Sequence, residues 1–236
     1  MLEKIYLVLY ELSILILKFT LINVFWFLVN IPVVILAIQL YLTTEFSNLL
    51  TLIPLLTLLL PLVFFPTTNA LISTTRNYLL ESQEFKFFDF FQFLKQGYKN
   101  SFIIGVFYTG LATAIGYLVY LSYTTSLIIV MILAVFFIYL SMNTLCLLFF
   151  EAHFNMTLYW KFRQSLLFIA KYPLFALVNF MIFTLLHYIV YSVSYILFLL
   201  FGEALIMYAT YYLFLKKLDR IKRASKQNTG GTYDNH

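Results

Sequence analysis

Apolar residues in this chain come in long unbroken runs rather than in alternating or narrowly striped patterns. No Asp, Glu, Lys or Arg falls within residues 19–44, 46–75 or 100–150, and residues 172–215 hold only Glu203. A helix rises about 1.5 Å per residue and a bilayer's hydrocarbon core is roughly 30 Å thick, so about 20 apolar residues cross it. Each of the first two runs therefore predicts one crossing, the second bent or ended by Pro54, Pro61 and Pro66. The third is too long for one helix, and the polar Ser122-Tyr-Thr-Thr-Ser126 predicts a turn between two. The fourth as a single helix would extend roughly 66 Å, about twice the core. It reads as two crossings with the turn at Gly202-Glu203.

Six spans follow, at about 19–43, 48–70, 101–122, 126–150, 173–200 and 203–217. Short polar-striped stretches flank them. In residues 84–100, EFKFFDFFQFLKQGYKN, a turn of 100° per residue puts Phe87, Phe90, Phe91, Leu94 and Tyr98 on one side. Asp89, Gln92, Gln96, Lys99 and Asn100 fall on the other, which is the pattern of an amphipathic interfacial helix. Residues 156–171 read similarly, with Asn155 or Thr157 as cap and Pro173 at the entry to the next span. So do residues 2–17, where Lys4, Glu11 and Lys18 repeat along one polar stripe. The expected architecture is all-α: a polytopic membrane bundle occupying residues 1–222, with surface helices at about 2–17, 84–99 and 156–171. A polar tail from 223 to 236 is expected to be disordered.

Composition agrees. Hydrophobic residues make up 63% of the 236, charged ones 11%, where a soluble domain carries roughly a quarter charged. The net charge of +5 has a membrane explanation rather than a nucleic-acid one. All 15 Lys and Arg fall before span one, between spans two and three, between four and five, or after six. The other turns hold only Glu45 and, as expected here, Glu203. By the positive-inside rule both ends are cytoplasmic, so the helices that precede odd spans are cytoplasmic too. The lone Cys146 excludes an internal disulfide and reads as core.

Catalytic signatures are missing. No phosphate-binding loop, dinucleotide fingerprint, nucleophile elbow or His-Glu-x-x-His zinc motif is present, so no enzyme activity, cofactor or metal is expected. With Glu203 in a turn, the spans hold no charged group near mid-membrane, the cheap arrangement for a protein that moves no ions. Asn30, Gln39, Asn69, Asn143, Asn179 and His187 remain as candidate intramembrane polar residues. Each either bonds neighbouring helices or lines a solute pathway. Glu151-Ala-His153 is the only Glu/His pair close in sequence, and one pair is a poor metal site.

Two stretches carry a family likeness. Asn23-Val-Phe-Trp-Phe-Leu-Val-Asn-Ile-Pro-Val-Val34 resembles the first span of the bacterial YesL-like family, and Pro66-Thr-Thr-Asn-Ala-Leu running on to Arg76 resembles its Pro-Ala-Thr-x-Ala-Leu segment. Phe88-Asp-Phe-Phe-Gln-Phe-Leu-Lys95 is similar to its Asp-Phe-Phe-x-x-Phe-Lys stretch. The likeness covers about residues 20–105. Asn69 stands where that family has a small residue, and Phe and Tyr are unusually abundant. The resemblance implies a bacterial plasma-membrane protein associated with carbohydrate ABC uptake systems, and it carries over no catalytic residue. The aromatic stretch, with Phe87, Phe88, Phe90, Phe91 and Leu94, is the expected docking surface for such a partner. The alternative is a small-solute permease whose pathway uses the intramembrane Asn and Gln residues. The chain does not match an ABC permease's coupling motif: His153 and Thr157 replace its alanine and glycine after Glu151-Ala152, and Tyr172-Pro173 replaces its Leu-Pro.

Overall fold

The computed structural model describes residues 2–80 and 88–230, and those residues fold as helices joined by short turns. α1, Leu2–Leu42, is one helix. The expected division between a surface helix at 2–17 and a span from 19 is not made, because nothing between them breaks a helix. At roughly 60 Å it is about twice the hydrocarbon core, and its apolar portion long enough to cross is Ile16–Leu42.

After the turn at 43–45 the chain returns as α2, Phe46–Leu59, a π-helical turn at Leu60–Phe64, and α3, Phe65–Leu80. Proline causes the irregularity. Pro61 sits inside the π turn and Pro66 follows it, and a proline has no N–H for the carbonyl four residues earlier. For Pro66 that carbonyl is Leu62 O, and the Tyr98 hydroxyl donates to it at 3.1 Å.

α4, Asp89–Ser122, is also continuous. The expected surface helix at 84–99 is the first part of this long helix, and residues 84–87, Phe87 among them, lie outside the described residues. The turn at Ser122–Ser126 forms as expected: Ser126 caps α5, Leu127–His153, by accepting from Ile129 N–H. Thr157 caps the separate α6, Leu158–Lys171, and Pro173 opens α7, Pro173–Val193.

The last reversal is displaced from its expected place. The chain breaks at Ser194, which caps α8, Tyr195–Leu197; a π turn at Phe198–Gly202 then leads into α9, Glu203–Gly230. Gly202 and Glu203 are therefore inside the sixth span, not in the turn. Gly202 serves close packing: a Cβ there would lie 2.7 Å from Phe198 Cδ2 and 3.3 Å from Val190 Cγ1 on α7. The tail expected to be disordered from 223 is helical to Gly230, and 231–236 lie outside the described residues.

Among the described residues six helices are long and apolar enough to cross a membrane: Ile16–Leu42, Ser47–Asn77, Asp89–Ser122, Leu127–His153, Pro173–Val193 and Tyr195–Ala224. They pack unevenly. In α5, Leu145–Phe150 is buried, whereas Leu127–Met131 near its start is largely exposed. The tight end is the one bearing Arg76, Lys161 and Lys217. There Phe149, Phe150, Phe168, Tyr211 and Phe214 interlock edge-to-face and tilted, with centroids from 5.4 Å apart. Lipid tails are as apolar as these side chains, so such contacts hold by shape and dispersion rather than by water exclusion.

Candidate functional sites within the bundle

Near the basic end, Glu151 of α5 is buried and doubly held. Lys161 Nζ of α6 lies 2.8 Å from Oε2, and Asn100 Nδ2 of α4 donates to Oε1 at 2.9 Å. Beside it Arg76 of α3 donates to Ala152 O at 3.0 Å, capping the end of α5. His153 Nδ1 is 2.9 Å from the Tyr211 hydroxyl on α9. Five helices, α3, α4, α5, α6 and α9, thus meet at one polar knot, which pins them together at this end.

Deeper in, polar side chains bond in separate pairs. Asn30 donates to Thr67 Oγ1 at 2.7 Å and to Trp26 O at 2.8 Å, while Trp26 Nε1 donates to Thr68 Oγ1 at 3.1 Å. The Tyr108 hydroxyl bonds Asn143 Oδ1, and Asn143 Nδ2 donates to Ser165 Oγ at 3.3 Å. Asn69 and Asn179 are buried, each with its Oδ1 unpartnered, as Asn30 Oδ1 also is, and Gln39 is exposed. The residues the sequence singled out are spread over different helix contacts instead of converging.

The π turn of the last span is organised by a side chain the sequence did not flag. Asn23 of α1 is almost fully buried; its Nδ2 donates to Leu199 O at 2.7 Å and Phe198 O at 3.1 Å, and its Oδ1 accepts from Ala204 N–H at 2.9 Å. The amide is inserted between a carbonyl and an N–H five residues apart, the pair that a π turn would otherwise bond directly.

Next to it, Glu203 corrects the expectation of a charge-free interior. Glu203 Oε2 lies 2.8 Å from His187 Nε2 on α7, and His187 Nδ1 lies 2.8 Å from Phe183 O. A carbonyl only accepts, so Nδ1 carries a hydrogen. Exactly one further proton then fits between Nε2 and the carboxyl, and the pair is neutral overall whichever atom holds it. That neutrality lets a carboxyl sit inside a helix apolar enough to cross a membrane, where a lone charge would cost about 2.5–3.5 kcal/mol or more. The signal was present in the sequence: a Glu and a His facing across one apolar hairpin.

An apolar groove completes the description. α2 rests on α1 and leans away from α4, leaving about 1080 Å³ between α2, α4 and α5. Leu49, Ile53, Phe64, Phe65, Phe137 and Leu140 form walls, and none of Asn30, Asn69, Asn143, Asn179 or His187 lines it. A second space of about 630 Å³ lies on the other side of α2 against Phe102 and Val106. No group of three potential metal ligands occurs among the described residues.

The aromatic surface is largely spent on the chain's own fold. Phe90 is buried, its ring 6.2 Å from Phe25, which corrects its expected role in docking; Leu94 packs against the core. Phe88 and Phe91 are 71% and 40% exposed, and they with Tyr98 are what the start of α4 presents outward.

The described residues define a class: all-helical, with six helices long and apolar enough to cross a membrane, joined in places by buried polar side chains that bond across helices. No protein-family model, curated protein or solved structure matches the chain.

Proposed function

We propose that this is a non-enzymatic, multi-pass membrane protein with both ends in the cytoplasm, an accessory or assembly partner of a larger membrane system. The observation that carries the reading is how the polar groups are used. Asn30, Asn143 and His187 bond other helices, and no cavity gathers them. A permease for a polar solute would need the opposite, a continuous row of unpaired donors and acceptors along one opening. The cytoplasmic assignment rests on the basic residues, and the bacterial plasma membrane and carbohydrate uptake system rest on the family resemblance. Contact with ABC transporter subunits is placed at Phe88 and Phe91, at the start of α4.

The test is co-purification from native membranes combined with uptake in proteoliposomes. Under this reading the wild type brings down sugar-transporter subunits, Phe88→Ala/Phe91→Ala loses them, and the protein alone moves no labelled sugar. Sugar uptake by the protein alone would replace this reading with the permease.

A further inference from the structure

We propose that the groove between α2, α4 and α5 is a binding site for the acyl chains of one bilayer lipid, drawn from the leaflet away from the basic end. This is independent of the partner reading.

Three features of the groove argue for it. Its length is right: on α4 it runs from Tyr108 to Tyr120, roughly 18 Å along the helix, against roughly 15 Å for one leaflet's share of the core. Tyr117 and Tyr120 stand at the open end, exposed, where amphipathic rings mark a membrane interface, while Tyr108, Phe65 and Leu140 close the deep end. A chain entering from that interface reaches the floor where the leaflet ends.

Its chemistry is right as well. No charged residue lines it; Thr57, Thr113, Ser141 and Thr144 turn their hydroxyls back to carbonyls of their own helices, and the Thr109 hydroxyl is buried with no partner. The walls therefore offer little to water, and an apolar space of this kind does not hold it. Bounded by three helices, the space is not filled by the protein itself.

Gly116 provides the cradle. It lines the groove, and a Cβ built there meets nothing within 4 Å. A larger residue at this position would enter the space without displacing a neighbour. Gly110 serves as the control, since its Cβ is equally free but it does not line the groove.

The experiment reconstitutes the full chain, one copy per nanodisc, with a phosphatidylglycerol carrying a diazirine in its acyl chain. After irradiation, mass spectrometry maps the labelled residues. The wild type is expected to concentrate label on the groove-facing residues of 109–120 and 137–144. Gly116→Trp is expected to lower that label about tenfold, equivalent to about 1.4 kcal/mol in occupancy, and Gly116→Leu to lower it less. Gly110→Trp leaves it unchanged. Label spread evenly over the exposed faces of α5 and α7 would overturn the proposal, as would an equal fall in Gly110→Trp. If Gly116→Trp fails to fold, Gly116→Leu decides, and its matching the wild type counts against the site. So does a groove that stays unlabelled in single-copy discs but crosslinks to another protein in native membranes.

Discussion

At the scale of single residues, the side chains that matter most are those joining one helix to an irregularity in another. Asn23 is the clearest. Replacing it with Ala strands Leu199 O, Phe198 O and Ala204 N–H in a place water does not reach. Interhelical hydrogen bonds in membranes are worth about 0.6 kcal/mol each, but a stranded buried group costs about 1–3 kcal/mol. Asn23→Ala is expected to fall in the upper part of that range, measured by unfolding in mixed detergent micelles, and Asn23→Gln is expected not to rescue it. The His187–Glu203 pair makes a different prediction. His187→Leu leaves a carboxyl in the interior with no partner and is expected to cost about 2.5–3.5 kcal/mol. His187→Leu/Glu203→Leu is expected to be more stable than His187→Leu alone, because the double change removes the group that needed pairing. A double variant as unstable as the sum of the singles would mean that the two side chains act separately.

At the scale of elements, proline and glycine set how the helices meet. α4 packs on the π turn as well as on α3, and at Gly105 the approach is close: a Cβ there would fall 2.6 Å from Pro61 Cα in that turn and 3.1 Å from Phe65 Cβ at the start of α3. A backbone atom cannot rotate away as a side-chain tip can. Gly105→Ala is thus expected to push α4 off the π turn and to cost about 1–3 kcal/mol, whereas Gly110→Ala, facing open space, is expected to be neutral or slightly stabilising. Thermal denaturation of the detergent-solubilised proteins, compared side by side, checks both signs. The existence of these elements was legible in the sequence from charge-free runs and from the polar turn at Ser122–Ser126. Their joints were not. Nothing local separates the start of α1 from its apolar portion, since helix propensity is continuous there. The start of α4 was read as a separate surface helix for the same reason: its polar stripe ends without a breaker.

At the scale of the whole molecule, the prediction concerns which turn faces which side. A cysteine at Ser194 is expected to react with a membrane-impermeant maleimide added outside the cell, and one at Gly202 is expected to stay unreacted until the membrane is dissolved. Cys146 is buried and leaves little background. Reaction at Gly202 but not at Ser194 would restore the turn read from the sequence. A reporter joined after the last residue is expected to be active in the cytoplasm. The bundle is tight at its basic end, where Arg76, Asn100, Glu151, Lys161, His153 and Tyr211 knot five helices, and looser at the other, where α2 leans from α4. The candidate polar residues were found in the sequence by type, but what each does was not readable there, because their partners lie on other helices. Asn30 meets Thr67, and Asn143 meets Tyr108 and Ser165.

By itself the sequence determined the medium and the number of helices able to cross it. Both are set by the summed cost of placing side chains and backbone in hydrocarbon, which is additive along the chain and needs no knowledge of neighbours. Tertiary structure alone decided the last reversal. A single glutamate in an apolar run is cheapest in a turn unless something inside the bundle neutralises it. His187 on the facing helix does so, and Asn23 holds the π turn that brings the two together. Asn23 lies 181 residues before the Ala204 N–H it accepts from, and a contact at that separation has no local signature.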